Sequence, residues 1–151
     1  MPNQVENKLN ESQFSLLQAE RYMLLSTIDF EKNIPMMNAI SWIYAPTPNT
    51  LVFAVDNRSR ILTNILHNTN VTFTLIGDGS TYSIGGRAKV VFEKMKGIPL
   101  KLAKVEVEID EVRDVMFYGS KITSGPEYEK TYDLNAASNL DSQVMEALKI
   151  V

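Results

Sequence analysis

Arg58, Ser59 and Arg60 are the residues whose types and spacing point most directly to chemistry. They open a short amphipathic segment that reads as a helix over residues 60–68, reached from an apolar strand over residues 50–55 through the polar loop Asp56-Asn57-Arg58-Ser59. The first turn of a helix leaves backbone N–H groups without partners, and the helix dipole favours negative charge there. Two guanidinium groups flanking a hydroxyl at that point form a donor set suited to a phosphate group. Taken singly, Ser59 equally suits a plain N-cap and each arginine a solvated surface position. The combination is what points to an anion.

Other candidate groups carry less. His67 is the single histidine, and no second histidine or carboxylate stands at metal-ligand spacing, so no metal site is expected and a surface residue near the negative end of a helix is the better reading. Glu106, Glu108, Asp110 and Glu111 could be read as acid–base carboxylates. The first three alternate with Val105, Val107 and Ile109, which fits a solvated edge strand that discourages aggregation. Met36-Met37 and Met116-Phe117-Tyr118 suit packing or an apolar interface strip. Cysteine is absent, which excludes disulfides, thiolate catalysis and zinc–thiolate sites. No Ser/His/Asp arrangement, P-loop or dinucleotide-type glycine fingerprint is present.

The elements that must position these groups fit one domain over residues 1–151, since 44% hydrophobic content supplies a single core. Fifteen basic residues against eighteen acidic ones give a net charge of -3 with no basic block, so neither nucleic acid nor a membrane surface is expected as a partner. The polar start has no apolar signal-peptide core, and no apolar run is long enough to span a bilayer, so a soluble cytoplasmic protein is expected.

Asn10 and Gln13 resemble a capping pair opening a helix over residues 11–20 that would cover one mouth of a barrel. Strands are expected over residues 21–29, 35–44, 50–55, 71–76, 81–91 and 105–110, the first three as a meander. In the helix from Arg60, the apolar stripe is Ile61, Leu62, Ile65 and Leu66, with Thr63, Asn64, His67 and Asn68 mostly elsewhere. Gly85-Gly86 inside a long strand marks a bulge or corner. After Val115 helices are expected, one opened by Gly125-Pro126 with Tyr128 and Tyr132 stacked at i and i+4, the other carrying Leu140, Val144, Met145 and Leu148. This gives a barrel over about residues 21–113 and a helical extension over about 116–151.

The order of these pieces resembles the pyridoxamine 5'-phosphate oxidase-like FMN-binding split-barrel superfamily, its general-stress members in particular, over about residues 14–113. The carriers are the run from Leu51 through Asp56-Asn57-Arg58-Ser59-Arg60 to Asn64-Ile65, Asn68 and Val71, the later Gly86-Arg87-Ala88, and Leu24-Leu25-Ser26-Thr27-Ile28-Asp29 followed by Pro35 to Trp42. The resemblance implies an all-β, six-stranded antiparallel split barrel with flanking helices. It also implies a homodimer with FMN at the interface, and a flavin-dependent oxidoreductase in which the cofactor carries the redox chemistry and no side chain need act as nucleophile. Carried over by position, Ser59 and Arg60, with Arg58 beside them, match the phosphate ligands. Asn38, Ala39, Ile40 and Ser41 match the strand beside the isoalloxazine ring, Val55 and Asp56 the ribityl chain, and Thr81 a polar position on the fifth strand.

The chain also departs from the pattern. Ile61 stands where many members have a phosphate-binding lysine, Thr69 replaces a proline, and Val55 a frequent threonine. Asn38 stands where the vitamin-B6 oxidases place an arginine, and their C-terminal strand with Trp and Arg ligands is missing. A cofactor-free or regulatory binding module, possible because of Ile61, and a haem- or deazaflavin-binding member therefore stay open. The single histidine argues against haem. Trp42 suits core, dimer seam or a place beside a flavin.

Overall fold

In the computed structural model, which describes residues 5–150, the chain runs β1 (Val5–Glu6), α1 (Glu11–Leu16), β2 (Met23–Ile28), β3 (Pro35–Ile40), β4 (Ile43–Thr47), β5 (Thr50–Asp56), α2 (Arg60–His67), β6 (Asn70–Gly77), β7 (Ser80–Phe92), β8 (Leu102–Asp114) and α3 (Leu134–Lys149). Asn10 opens α1 through a reciprocal capping box: its side chain accepts the Gln13 N–H at 2.8 Å, and the Gln13 side chain accepts the Asn10 N–H at 2.8 Å. That helix is shorter than expected, because Leu17 leaves it to enter the core.

All strand pairs are antiparallel, in the order β3-β2-β6-β7-β8-β5-β4, with β1 added beside β8. The continuous strand expected over residues 35–44 is divided at Ser41-Trp42. Its first half pairs with β2 at one end of the sheet and its second with β5 at the other. The Ser41 carbonyl accepts the Arg21 and Ile43 N–H groups at 3.0 Å each, and the Trp42 carbonyl accepts the Ala54 N–H at 3.0 Å. Two residues of chain thus join the sheet's two edges while the ladder itself stays open, which is how a barrel is split.

Apolar side chains from every long strand fill the interior, where the rings of Phe53 and Phe73 meet edge to face at 5.7 Å. β5 is buried on both faces, which explains its unbroken apolar run Leu51-Val52-Phe53-Ala54-Val55. Phe53 looks inward, while Val52 and Ala54 join Val144, Met145 and Leu148 of α3 on the outside. The bulge at Gly85/Gly86 is present, and Gly86 is required there: a Cβ would run into the Glu108 carbonyl oxygen and Val107 Cγ1.

Two further expectations are corrected. The carboxylates of β8 lie on a solvated face but not on an edge, since β8 sits between β7 and β5, and Arg87 pairs with Glu108 at 3.4 Å and Asp110 at 3.2 Å. Gly125-Pro126 does not open a helix, and residues 125–133 are irregular up to α3. Glu127, Glu129 and Lys130 offer no apolar stripe to bury, and Tyr128 instead turns its ring toward Tyr22 at 6.3 Å. Among the described residues, no helix is long and apolar enough to cross a membrane.

Candidate functional site

The loop between β5 and α2 is built by its own polar groups. The Ser59 N–H donates to the Asp56 carbonyl and the Asn57 N–H to the Lys101 carbonyl, each at 2.9 Å. Ser59 is the N-cap of α2, its Oγ accepting the Ile61 N–H at 3.1 Å. Ile61, Leu62 and Ile65 bury one face of the helix against the barrel, so its N-terminus is held firmly at the surface.

The two arginines are already engaged. Arg58 folds back on Asp56, Nε to Oδ1 at 3.3 Å and Nη2 to Oδ2 at 3.3 Å, in a pair that is largely exposed. Hydrogen bonds from the Arg58 side chain, then its backbone N–H, hold the Asp56 carboxyl below its usual range. Arg60 points the other way. Its Nε donates to Asp29 Oδ1 at 2.6 Å, its Nη2 to Glu31 Oε1 at 2.7 Å, and its guanidinium carbon lies 4.5 Å from the centre of the Phe30 ring. The buried Asp29 also accepts the N–H groups of Lys32 at 2.8 Å and Glu31 at 3.1 Å. Arg60 first, then the Lys32 N–H, hold the Asp29 carboxyl well below the usual carboxylate range despite burial. Exposed pairs exchange at little cost, whereas a pair anchored in a buried carboxylate does not. Arg58 is therefore the arginine free to leave its partner, and Arg60 clasps α2 to the turn between β2 and β3.

A concavity of about 310 Å³ opens beside the Ser59 cap. Asn38, Ala39, Ile40 and Ser41 line one side, Val55 and Asp56 another, and Trp42, Ala54 and Ile61 complete it. Residues far apart in the sequence and expected to serve one ligand thus meet around one hollow. Arg58 lines a second concavity, of about 450 Å³, that shares Ser59 with the first. Thr81 is not part of either; it sits on β7 opposite Ile76, with its Oγ1 3.7 Å from Met116 Sδ.

Asn64 and Asp29, given no role at the site from the sequence, fix α2 in place. Asn64 Nδ2 donates to Thr27 Oγ1 at 2.9 Å, and its Oδ1 accepts the Phe30 N–H at 3.0 Å. A polar residue interrupting an apolar helical stripe, with an aspartate ending a buried strand, was the available signal. Ile61, at the position of the missing lysine, has a buried side chain beside Ser59 in the hollow, making that wall apolar rather than cationic. Among the described residues, no cluster of His, Asp or Glu could hold a metal ion.

A strand that leaves one edge of an antiparallel sheet to join the other, with a capped helix inserted before β6, defines a split barrel. The chain belongs to the pyridoxamine 5'-phosphate oxidase family, whose model matches residues 9–115. Solved structures agree on the fold. A protein from Lactobacillus delbrueckii assigned to the pyridoxamine 5'-phosphate oxidases superposes with a TM-score of 0.61 at 19% identity, over 71% of this chain and 94% of that one. An F420 reductase gives 0.58 at 18% identity, over 69% and 97%. General Stress Protein 26 from Bacillus anthracis gives 0.53 at 17% identity, over 65% and 86%. No curated protein sequence matches the chain.

Proposed function

We propose that this chain is a cytoplasmic FMN-binding protein that works as a homodimer and acts as a flavin-dependent oxidoreductase. The observation that carries the reading is the convergence of Asn38–Ser41, Val55, Asp56 and the Ser59 cap of α2 on one hollow. The residues suit the group. The capped helix start offers backbone N–H donors for a phosphate, with Arg58 close enough in sequence to leave Asp56 and join them. Ala39, Ile40, Ala54, Val55 and Ile61 give an apolar floor for a flat ring. Among the described residues β3 ends the hydrogen-bonded order of the sheet, so its outer edge carries backbone groups with no strand partner there, suited to a ring's polar rim. A bound flavin supplies electron or hydride transfer; the chain's part is to clamp the phosphate, orient the ring and keep water from one of its faces.

The dimer rests on exposed apolar groups near that edge. Ile34 and Met37 are more than half exposed, as are Phe117 and Tyr118 beyond β8. A second copy covering Ile34 and Met37 would enclose the open side of the hollow. Thr81, outside the hollow of its own chain, remains in the proposed cofactor set as a residue offered by the other protomer. The pairing of Arg87 with carboxylates leaves no cationic stripe there and supports a small-molecule ligand over a polyanion.

One rival has an observation in its favour. Ile61 in place of a lysine, together with arginines already neutralised by Asp56, Asp29 and Glu31, favours a cofactor-free binding module. The visible absorption spectrum of the purified protein, before and after incubation with FMN and gel filtration, decides. Retained oxidised-flavin bands support the proposal; a colourless protein after FMN incubation supports the rival, and a deazaflavin or haem spectrum would name a different cofactor.

A further inference from the structure

Trp42 is the chain's only tryptophan, and it stands at the hinge between β3 and β4. It lines the hollow, while its indole Nε1–H donates to Asp141 Oδ1 on α3 at 2.8 Å. The other oxygen of that carboxylate takes Lys130 Nζ at 3.0 Å, and Lys130 also reaches Glu20 Oε2 at 3.5 Å. Tyr128 completes the chain of contacts, its hydroxyl donating to Glu20 Oε1 at 3.4 Å. Asp141, Lys130 and Tyr128 all lie beyond residue 115, where the family match ends.

We propose that Asp141 is a positioning residue that fixes the Trp42 indole as a wall of the flavin hollow, so that the C-terminal extension sets the shape of the site. This rests on reading the hollow as a flavin site. A half-buried indole needs an acceptor for its one N–H, and the acceptor chosen fixes the ring plane. A carboxylate on a surface helix is a poor anchor when it can swing. Lys130 removes that freedom by holding the second oxygen through a charge-assisted bond. Contact between an aromatic wall and a flat ring ligand depends on orientation within roughly 10–20°, so a restraint on the indole acts on the ligand it faces. Glu20, following α1, ties the same lysine to the barrel, which makes the extension part of the site's frame rather than an appendage.

The test uses the full chain and the natural fluorescence of Trp42. In FMN-free protein, Asp141→Ala should shift the indole emission to longer wavelength and raise its quenching by acrylamide, with the far-UV circular dichroism unchanged. The same variant should bind FMN about tenfold more weakly. Asp141→Asn keeps an oxygen acceptor for the indole and should restore most of both effects. Lys130→Ala, remote from the hollow, should shift both partway, and it carries the test together with Asp141→Asn if Asp141→Ala fails to fold. Lys149→Ala, on the same helix without contact to Trp42 or Asp141, should change neither. Unchanged emission in Asp141→Ala overturns the restraint, and shifted emission with unchanged FMN affinity overturns its link to the site. If the unaltered chain binds no FMN, the flavin reading falls, and emission alone decides whether Asp141 holds Trp42.

Discussion

Asn64 should be among the most costly polar side chains in the protein to remove, although it touches no expected ligand. It is fully buried on the inner face of α2, tied to the Thr27 hydroxyl at 2.9 Å and the Phe30 N–H at 3.0 Å. Asn64→Ala removes two hydrogen bonds worth about 1 kcal/mol each net and strands partners whose desolvation is no longer repaid, which adds up to about 2–4 kcal/mol. Against a total stability of about 5–15 kcal/mol for a domain, that is a large share. For a chain of this size it corresponds to a fall in Tm of roughly 5–15 °C. Urea unfolding followed by far-UV circular dichroism should show a lower midpoint with an unchanged m value. Asn64→Leu fills a similar volume but strands the same partners, so it should be about as destabilised. A loss below about 1 kcal/mol in the alanine variant, or recovery in the leucine variant, would show that the two hydrogen bonds do not hold α2 in place.

Other outcomes follow from the site. Arg58→Ala should weaken FMN binding about tenfold while leaving Tm unchanged, because its pair with Asp56 is exposed; calorimetric titration and a melt on one sample check both. Arg60→Ala should lower the unfolding midpoint more than the FMN affinity, since its guanidinium holds Asp29 and Glu31; affinity lost at constant midpoint would make it a ligand instead. Asp29 has a depressed folded pKa, so its stabilisation is present above the unfolded carboxyl value of about 4 and is lost as pH falls through the folded one. Asp29→Asn should therefore narrow the stability gap between pH 7 and acid in pH-stepped urea melts, and an unaltered pH slope would count against the clasp. Gly86→Ala should cost about 2 kcal/mol or more, read by the same melts, because the added methyl meets the Glu108 carbonyl. Light scattering at micromolar concentration should return twice the chain mass, with a monomer contradicting the shared hollow.

The fold was legible where local pattern and burial agree. The paired glycines of β7 and the capping pair at Asn10 reported their structural roles, while alternation in β8 reported its solvated face but not its place between β7 and β5. The break at Ser41-Trp42 was not legible, because the residues on either side are equally strand-like and only pairing with opposite ends of the sheet divides them. Helical periodicity misplaced two residues of α2: Leu66, counted with the apolar stripe, is 74% exposed, while Asn64, placed on the polar back, is 0% exposed. Hydrophobicity stood in for burial there, and a buried polar residue satisfied by two specific partners defeats that substitution. At the candidate site, Asn38–Ser41, Val55, Asp56 and Ser59 were named from chain order, and the fold places them around one hollow. The direction of Arg60 was hidden, since it depends on Asp29 and Glu31, about thirty residues earlier, arriving beside α2 through the fold.

Paired titrations with FMN and riboflavin, followed by flavin fluorescence, test the phosphate-binding helix start most directly. The two ligands share the ring and ribityl chain and differ in the phosphate, so the ratio of their affinities isolates what Ser59, Arg58 and the first turn of α2 contribute. FMN should bind at least about tenfold more tightly than riboflavin, and Arg58→Ala should shrink that ratio. Equal affinities, or no binding of either, would contradict a phosphate site at the start of α2.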